Sequence, residues 1–332
     1  MFEPGYIKLH KSGELARRAE LLEARLGRCD ICPRQCFVNR LDGKRGFCKS
    51  GALPIVSSVC AHHGEEPVLS GARGSGTIFF GNCNMRCVFC QNHQISQDPE
   101  SQQANEVSCH ALAERMLYLQ ELGCHNINFV SPSHFVPQIV RALVEAVPMG
   151  LHVPLVYNTG GFDFVKTLEM LDGIFDIYLP DIKYASDRWA MRDSGAPMYV
   201  RHARAAIKEM YRQVGDLQVD EHGVAEKGVI VRHLVLPGDL AGSEGSLTWL
   251  AQEVSPTITV GIMSQYFPSH KAGQIPELSR TITKEEYAAV VDVVNRLGLE
   301  NGWLQEMAAE RNYRPHFDAD GHPFESGVAA PE

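Results

Sequence analysis

The sequence contains no apolar run of the roughly 20 residues that a membrane-crossing helix needs, so no span is expected. Basic residues are also scarce: 31 Lys and Arg are outnumbered by 40 Asp and Glu, leaving a net charge of −9. Without a basic run, the electrostatic footprint of a nucleic-acid binder is missing. The opening stretch, MFEPGYIKLHKSGELARR, is charged and has no apolar core, so a cytoplasmic location is expected and a secretory leader is not. Disulfides are rare in that compartment, and ten cysteines point to metal instead. With 44% hydrophobic and 21% charged residues, 332 residues suit two domains or one large α/β domain with appendages.

The cysteines fall into three sets. Cys83, Cys87 and Cys90 lie in Gly81-Asn82-Cys83-Asn84-Met85-Arg86-Cys87-Val88-Phe89-Cys90-Gln91-Asn92, directly after the apolar run Thr77-Ile78-Phe79-Phe80. Soft thiolates at this spacing can hold three irons of a [4Fe–4S] cluster. No further Cys follows in the next residues, so one iron would stay open for a substrate. A buried cysteine trio and a zinc site short of one ligand are the alternatives. Cys29, Cys32, Cys36 and Cys48 form an earlier set, in which Gly43 and Gly46 would let the chain fold back on itself. That set reads as a metal knuckle, zinc or a second Fe–S cluster, with a redox or merely packed group of thiols as the alternative. Its spacing matches neither a paired zinc ribbon nor the bacterial ferredoxin run. Cys60, Cys109 and Cys124 are scattered and expected to pack as small hydrophobes.

Cys83-x-x-x-Cys87-x-Phe89-Cys90 resembles the signature of the radical S-adenosylmethionine (SAM) enzymes. Its flanks, Gly81-Asn82 and Gln91-Asn92, are similar to those of the pyruvate formate-lyase activating enzyme branch. The resemblance implies a [4Fe–4S] cluster whose open iron binds SAM through its amino and carboxylate groups. It further implies reductive cleavage of SAM to a 5′-deoxyadenosyl radical, which abstracts hydrogen from a protein or peptide partner. Oxygen lability and a flavodoxin or ferredoxin as reductant would follow. The four-Cys segment departs from the simple activating enzymes, which leaves radical modification of a small metabolite as an alternative. An Fe–S electron carrier or scaffold is an alternative of another class.

Short apolar runs at 77–80, 126–130, 153–157, 175–180, 229–236 and 258–263 read as strands. Helical patterns lie at 11–28, between the second and third strands, and at 163–172, 197–214 and 244–254. Thr283 to Glu286 reads as a capping box opening a last helix, closed by Gly298. Successive strand–helix units imply a parallel sheet and a partial (β/α)6 TIM-like barrel, the fold the resemblance also implies. The expected division is an N-terminal Cys-rich extension (1–75), the barrel (76–270) and a C-terminal helix and tail (271–332). The last residues read as poorly ordered.

Chemistry in such a fold collects where the strands end. Ser131 and Ser133, Asn158 and Thr159, Asp181 and Lys183, and Gln265 fall at those ends, and the fifth strand carries Arg232. The resemblance assigns Ser131 and Ser133 to the region of a Gly-Gly-Glu motif that this chain lacks. Backbone carbonyls and these serines would then hold the SAM amino group. It likewise gives Asn158 and Thr159 to the ribose or carboxylate, Asp181 and Lys183 to the face of SAM, and Arg232 to its carboxylate. Gln265 or His270 would reach the adenine or ribose. Glu65 and Glu66, in a Gly-Glu-Glu-Pro segment ahead of the cluster, are further candidates; a solvated turn closed by Pro67 is the alternative.

Overall fold

A computed structural model describes residues 2–307 together with Pro315, Phe317, Pro323 and Phe324. Nine strands run in chain order as β1 (Val56–His62), β2 (Ser75–Phe80), β3 (Ile127–Val130), β4 (Leu155–Thr159), β5 (Ile177–Pro180), β6 (Gln218–Val219), β7 (Ala225–Leu234), β8 (Thr259–Met263) and β9 (Gly302–Leu304). The helices that matter here are α1 (Gly5–Lys11), α2 (Glu14–Ala24), α3 (Cys109–Glu121), α4 (Val136–Ala146), α5 (Tyr199–Val214), α6 (Ser243–Glu253) and α7 (Lys284–Leu297). The strands form one sheet in the order β1-β2-β3-β4-β5-β7-β8-β9, with β6 paired to β7. β2, β3, β4, β5, β7 and β8 run parallel to one another, which makes the open, TIM-like α/β half-barrel expected from the six apolar runs. β2, β4 and β5 are buried at every position, as strands covered on both faces must be. α4 covers the sheet with Val136, Ile139, Val140, Leu143 and Ala146, all fully buried.

Several boundaries differ from the sequence expectation for identifiable reasons. The helix expected at 11–28 is shorter, Glu14–Ala24 followed by a 3-10 turn, and Gly13, at a left-handed φ of 77°, separates it from the unexpected α1. The helix at 163–172 shrinks to one turn, Val165–Leu168, followed by a tighter turn. The expected capping box is present: Thr283 accepts from the Glu286 N–H, and the Glu286 carboxylate accepts from that of Thr283. β1 and β9 were not expected. β1 pairs antiparallel with β2, and β9 adds parallel to β8, where a Cβ on Gly302 would run into the Val260 carbonyl. The sheet thus continues past both ends of the expected barrel segment. Most of the tail expected to be poorly ordered lies outside the described residues. Among the described residues no helix is long and apolar enough to cross a membrane.

One of the ties between the N-terminal helices and the barrel is a buried carboxylate. Asp176, just before β5, accepts from the Gly5 N–H at 3.0 Å and the Leu155 N–H at 3.2 Å. Burial pushes its carboxyl up from 3.8 to about 7, and the two N–H groups only partly offset that. Between those values the folded protein keeps a proton that the unfolded chain releases. The stability contributed by Asp176 therefore falls as pH rises toward about 7. The melting temperature lost in Asp176→Asn relative to wild type should accordingly shrink between about pH 5 and about pH 8. A loss that grows over that span would contradict this assignment.

Candidate active site

The loop after β2 has almost no regular structure, yet it is held from every side. It opens with a left-handed residue, Asn82, at φ 64°. The N–H groups of Arg86 and Val88 donate to the Ser194 and Asp193 carbonyls at 2.9 and 2.8 Å. The Arg86 guanidinium reaches back to the Cys83 and Met85 carbonyls at 2.8 and 2.9 Å, and across to the Phe47 carbonyl at 3.0 Å. Asn84 donates to the Phe162 carbonyl at 2.7 Å, and Gln97 donates to the Cys87 carbonyl at 2.8 Å. A loop so tied presents its side chains in one fixed arrangement.

All three of its cysteines, half-buried, line a cavity of about 580 Å3 at the carboxyl ends of the parallel strands. Among the described residues they are the only cysteines on its wall. Ser194 donates its hydroxyl to the Cys87 sulfur at 3.0 Å, and the Cys83 sulfur accepts from the Met85 N–H at 3.4 Å. The Cys90 sulfur and the Ser96 hydroxyl are 3.3 Å apart. Burial pushes all three thiols up, Cys87 to about 12, with Lys183 opposing the rise at each. Deprotonating three such groups together needs metal charge beside them, which a multi-iron cluster supplies. Three thiols on the wall of one large cavity fit a cluster of several irons.

The same cavity wall carries the expected strand-end residues Ser131, Ser133, Asn158, Thr159, Asp181, Lys183, Arg232 and Gln265, and also Glu65 and Glu66. They form two polar networks. In the first, Asp181 bridges two cations: Lys183 Nζ lies 2.6 Å from one carboxylate oxygen and Arg232 Nε 2.8 Å from the other. Arg232 also donates to Asn158 Oδ1 at 2.6 Å and faces Glu65 and Glu66 at 3.6 and 3.9 Å. Burial opposes charge on Asp181, but Arg232 and Lys183 outweigh it and hold the carboxyl below its ordinary value. Burial likewise pushes Glu66 up, to about 7, with Arg232 opposing and Glu65 reinforcing. At Glu65 the His62 contact and Arg232 together overcome burial and keep the carboxylate ionised.

The second network surrounds Asp163, which sequence reasoning missed. Thr159 and Tyr157 donate to its two carboxylate oxygens at 2.6 and 2.9 Å, and the Ser133 and Thr159 hydroxyls are 3.2 Å apart. The Thr159 hydroxyl proton is therefore directed to Asp163. Ser131 holds a left-handed φ of 59° and hydrogen-bonds Cys83. Gln265 accepts from Gln91 through its carbonyl at 3.2 Å and from Gln305 through its side chain at 3.1 Å. His270 stacks on His93 and is not part of the cavity wall. His62 and Gln305 also line the cavity; each comes from a strand, or the end of one, that the apolar pattern did not reveal. A buried acid four residues after a strand-end threonine was the available signal for Asp163.

A model of the radical SAM superfamily matches residues 77–239. Uncharacterized protein MJ0674 of Methanocaldococcus jannaschii is 28% identical over 306 residues, which cover 90% of this chain and 83% of that protein. Among solved structures, HydG, a maturase of the [FeFe]-hydrogenase, aligns with a TM-score of 0.48 at 12% identity over 71% of this chain. The chain spans 53% of that structure's length. Methylornithine synthase (PylB) aligns with a TM-score of 0.42 at 13% identity over 75% of each chain. The superfamily match opens in the strand that delivers the three thiols and closes beyond the strand that carries Arg232, so residues 77–239 carry the radical SAM likeness, and a [4Fe–4S] cluster and SAM are the cofactors that it implies.

Proposed function

We propose that this radical SAM enzyme abstracts a hydrogen atom from a protein or peptide partner, in the manner of an enzyme that activates a glycyl-radical protein. The cluster, when bound, supplies the electron that splits SAM into methionine and a 5′-deoxyadenosyl radical. Cys83, Cys87 and Cys90 would hold it. The Arg232 fork, already oriented by Asp181 and Asn158, is suited to a carboxylate such as that of the SAM methionine moiety. Lys183 adds positive charge on the same wall and, locked to Asp181, needs no reorganisation when an anion enters. Ser131, Ser133 and nearby backbone carbonyls offer acceptors for an ammonium group in place of the missing glutamate. Flavodoxin or ferredoxin is the reductant this reading calls for.

One observation carries the peptide reading. Pro315 and Phe324, from this chain's own C-terminal segment, line the cavity. Phe324 stacks on His62 at 4.0 Å between ring centroids, and Phe317 meets Phe79 edge-on at 5.3 Å. These contacts support a mouth suited to polypeptide side chains, including aromatic ones.

Anaerobically reconstituted enzyme given dithionite and SAM should produce 5′-deoxyadenosine, and Cys87→Ala should abolish it. Equal product from the variant would end the radical SAM account. The partner class can be read from a fully deuterated cell extract divided by ultrafiltration. Deuterium should enter 5′-deoxyadenosine from the macromolecular fraction. Transfer from the small-molecule fraction alone would replace the peptide reading with metabolite modification.

Arg232 offers a separate test. Arg232→Lys keeps the charge but loses the fork, and should raise the Kd for SAM about tenfold, or ~1.4 kcal/mol, by anaerobic equilibrium dialysis. An unchanged Kd would remove Arg232 from the SAM site.

A further inference from the structure

The four early cysteines lie behind the catalytic loop, in a segment whose order has no ordinary explanation. Residues 29–54 contain no helix or strand, whereas loops beyond about 12–15 residues without structure of their own are uncommon in compact domains. Three non-glycine residues beside Cys36 and Cys48 hold left-handed backbone: Gln35 at φ 41°, Phe37 at 54° and Lys49 at 61°. Such conformations persist where the surroundings over-determine them. Phe37 is 50% and Leu41 55% exposed, so the segment's buried side chains are chiefly Ile31, Arg40 and the cysteines Cys29, Cys32 and Cys48.

What the segment does share is a small cavity. Cys29, Cys32, Cys36 and Cys48 all line it, together with Arg34, Arg40 and His134. None of the four forms a disulfide. Gly46 lets the chain close, because a Cβ there would stand 2.8 Å from the Cys36 sulfur, and the Phe47 N–H donates to that sulfur at 3.4 Å.

Arg40 shows what is missing. Its side chain is 1% exposed, and among the described residues it has no carboxylate partner. Nε and Nη1 donate to the Gly51 and His134 carbonyls at 2.8 and 2.7 Å, but Nη2 has no hydrogen-bond partner. Nη1 is also 3.9 Å from the Cys29 sulfur. A buried cation without an anion is costly and calls for a compensating negative charge in its cavity.

We infer that Cys29, Cys32, Cys36 and Cys48 bind one zinc ion as a structural tetrathiolate site, separate from the catalytic thiols. Four thiolates on a dication make a doubly negative centre, which supplies the anion that Arg40 lacks. The cavity they share is small, about 10 Å3, which suits a single metal at Zn–S distances of about 2.3 Å. As free thiols the four are not drawn to coordination distance. Rotation of cysteine χ1 between staggered wells and a small inward shift complete the site. Its consequence for the active site is direct. Arg34, between Cys32 and Cys36, donates to the Asn84 carbonyl of the catalytic loop at 2.9 Å. It also stacks on Phe47 at 3.5 Å, whose own carbonyl receives Arg86. A zinc-locked knuckle would thereby brace the loop that carries the catalytic thiols from behind.

The test uses full-length protein in which Cys83, Cys87 and Cys90 are all changed to Ala, so that catalytic iron is absent whatever the enzyme's substrate. Metal analysis of anaerobically purified protein should find one zinc and no iron per chain, and adding Cys32→Ser or Cys48→Ser should remove the zinc. If those variants fail to fold, mercurial titration of the triple variant gives the same answer. Zinc should then leave in step with modification of four thiols, and cobalt-grown protein should show tetrahedral tetrathiolate absorption. Iron retained in the triple variant would overturn the inference in favour of a second cluster. Folded protein with no metal, its four cysteines free or disulfide-bonded, would overturn it altogether.

Discussion

A loop without a helix or strand of its own must keep three sulfurs turned toward one cavity, and the guanidinium of Arg86 is the contact that makes this feasible. By donating to the Cys83, Met85 and Phe47 carbonyls it satisfies backbone groups that water cannot reach and joins the N-terminal segment to the loop. The Arg86 and Val88 N–H groups complete the clamp against Asp193 and Ser194. The half-barrel supplies the rest by ending its parallel strands around the same opening. Position comes from β2, orientation from hydrogen bonds behind the loop.

Charge around the opening is balanced in pairs rather than left to solvent. Asp181 is saturated by Lys183 and Arg232, and Arg232 in turn faces Glu65 and Glu66. Removing one member would strand the others in low dielectric, where an unmatched charge costs about 3–5 kcal/mol. Glu66 takes up the slack: pushed up to about 7 by burial, it can hold or release its proton near neutrality as charge enters the cavity. This pre-set arrangement suits the binding of a zwitterion such as SAM, whose amino and carboxylate groups need opposite partners a short distance apart.

The sequence was legible where chemistry is local. Three cysteines within eight residues, after an apolar run, announce both a strand and its ligand set. The parallel strands show as apolar runs because they are covered on both faces, and Asp181 and Arg232 stand out as charges at the edge of such runs. Features formed by distant parts of the chain were not legible. β1, Val56-Ser-Ser-Val-Cys-Ala-His62, has no clean apolar alternation and gains its strand character from pairing with β2. β9 hinges on a glycine that permits close approach to Val260. The contact between Glu65 and Arg232 joins residues far apart in the chain, and the Asp163 network is focused by the turn after β4 rather than by spacing. The break at Gly13, between Ser12 and Glu14, falls among polar residues and leaves no mark on the apolar pattern.

The central claim is that three thiolates leave one iron of the cluster facing the cavity, free to take SAM. Mössbauer spectroscopy of the iron-57-reconstituted protein tests it most directly, before and after SAM is added. The account predicts that about a quarter of the iron signal, from one site, shifts on SAM addition while the rest is unchanged. A spectrum unaffected by SAM, with all irons equivalent and sulfur-ligated, would contradict it.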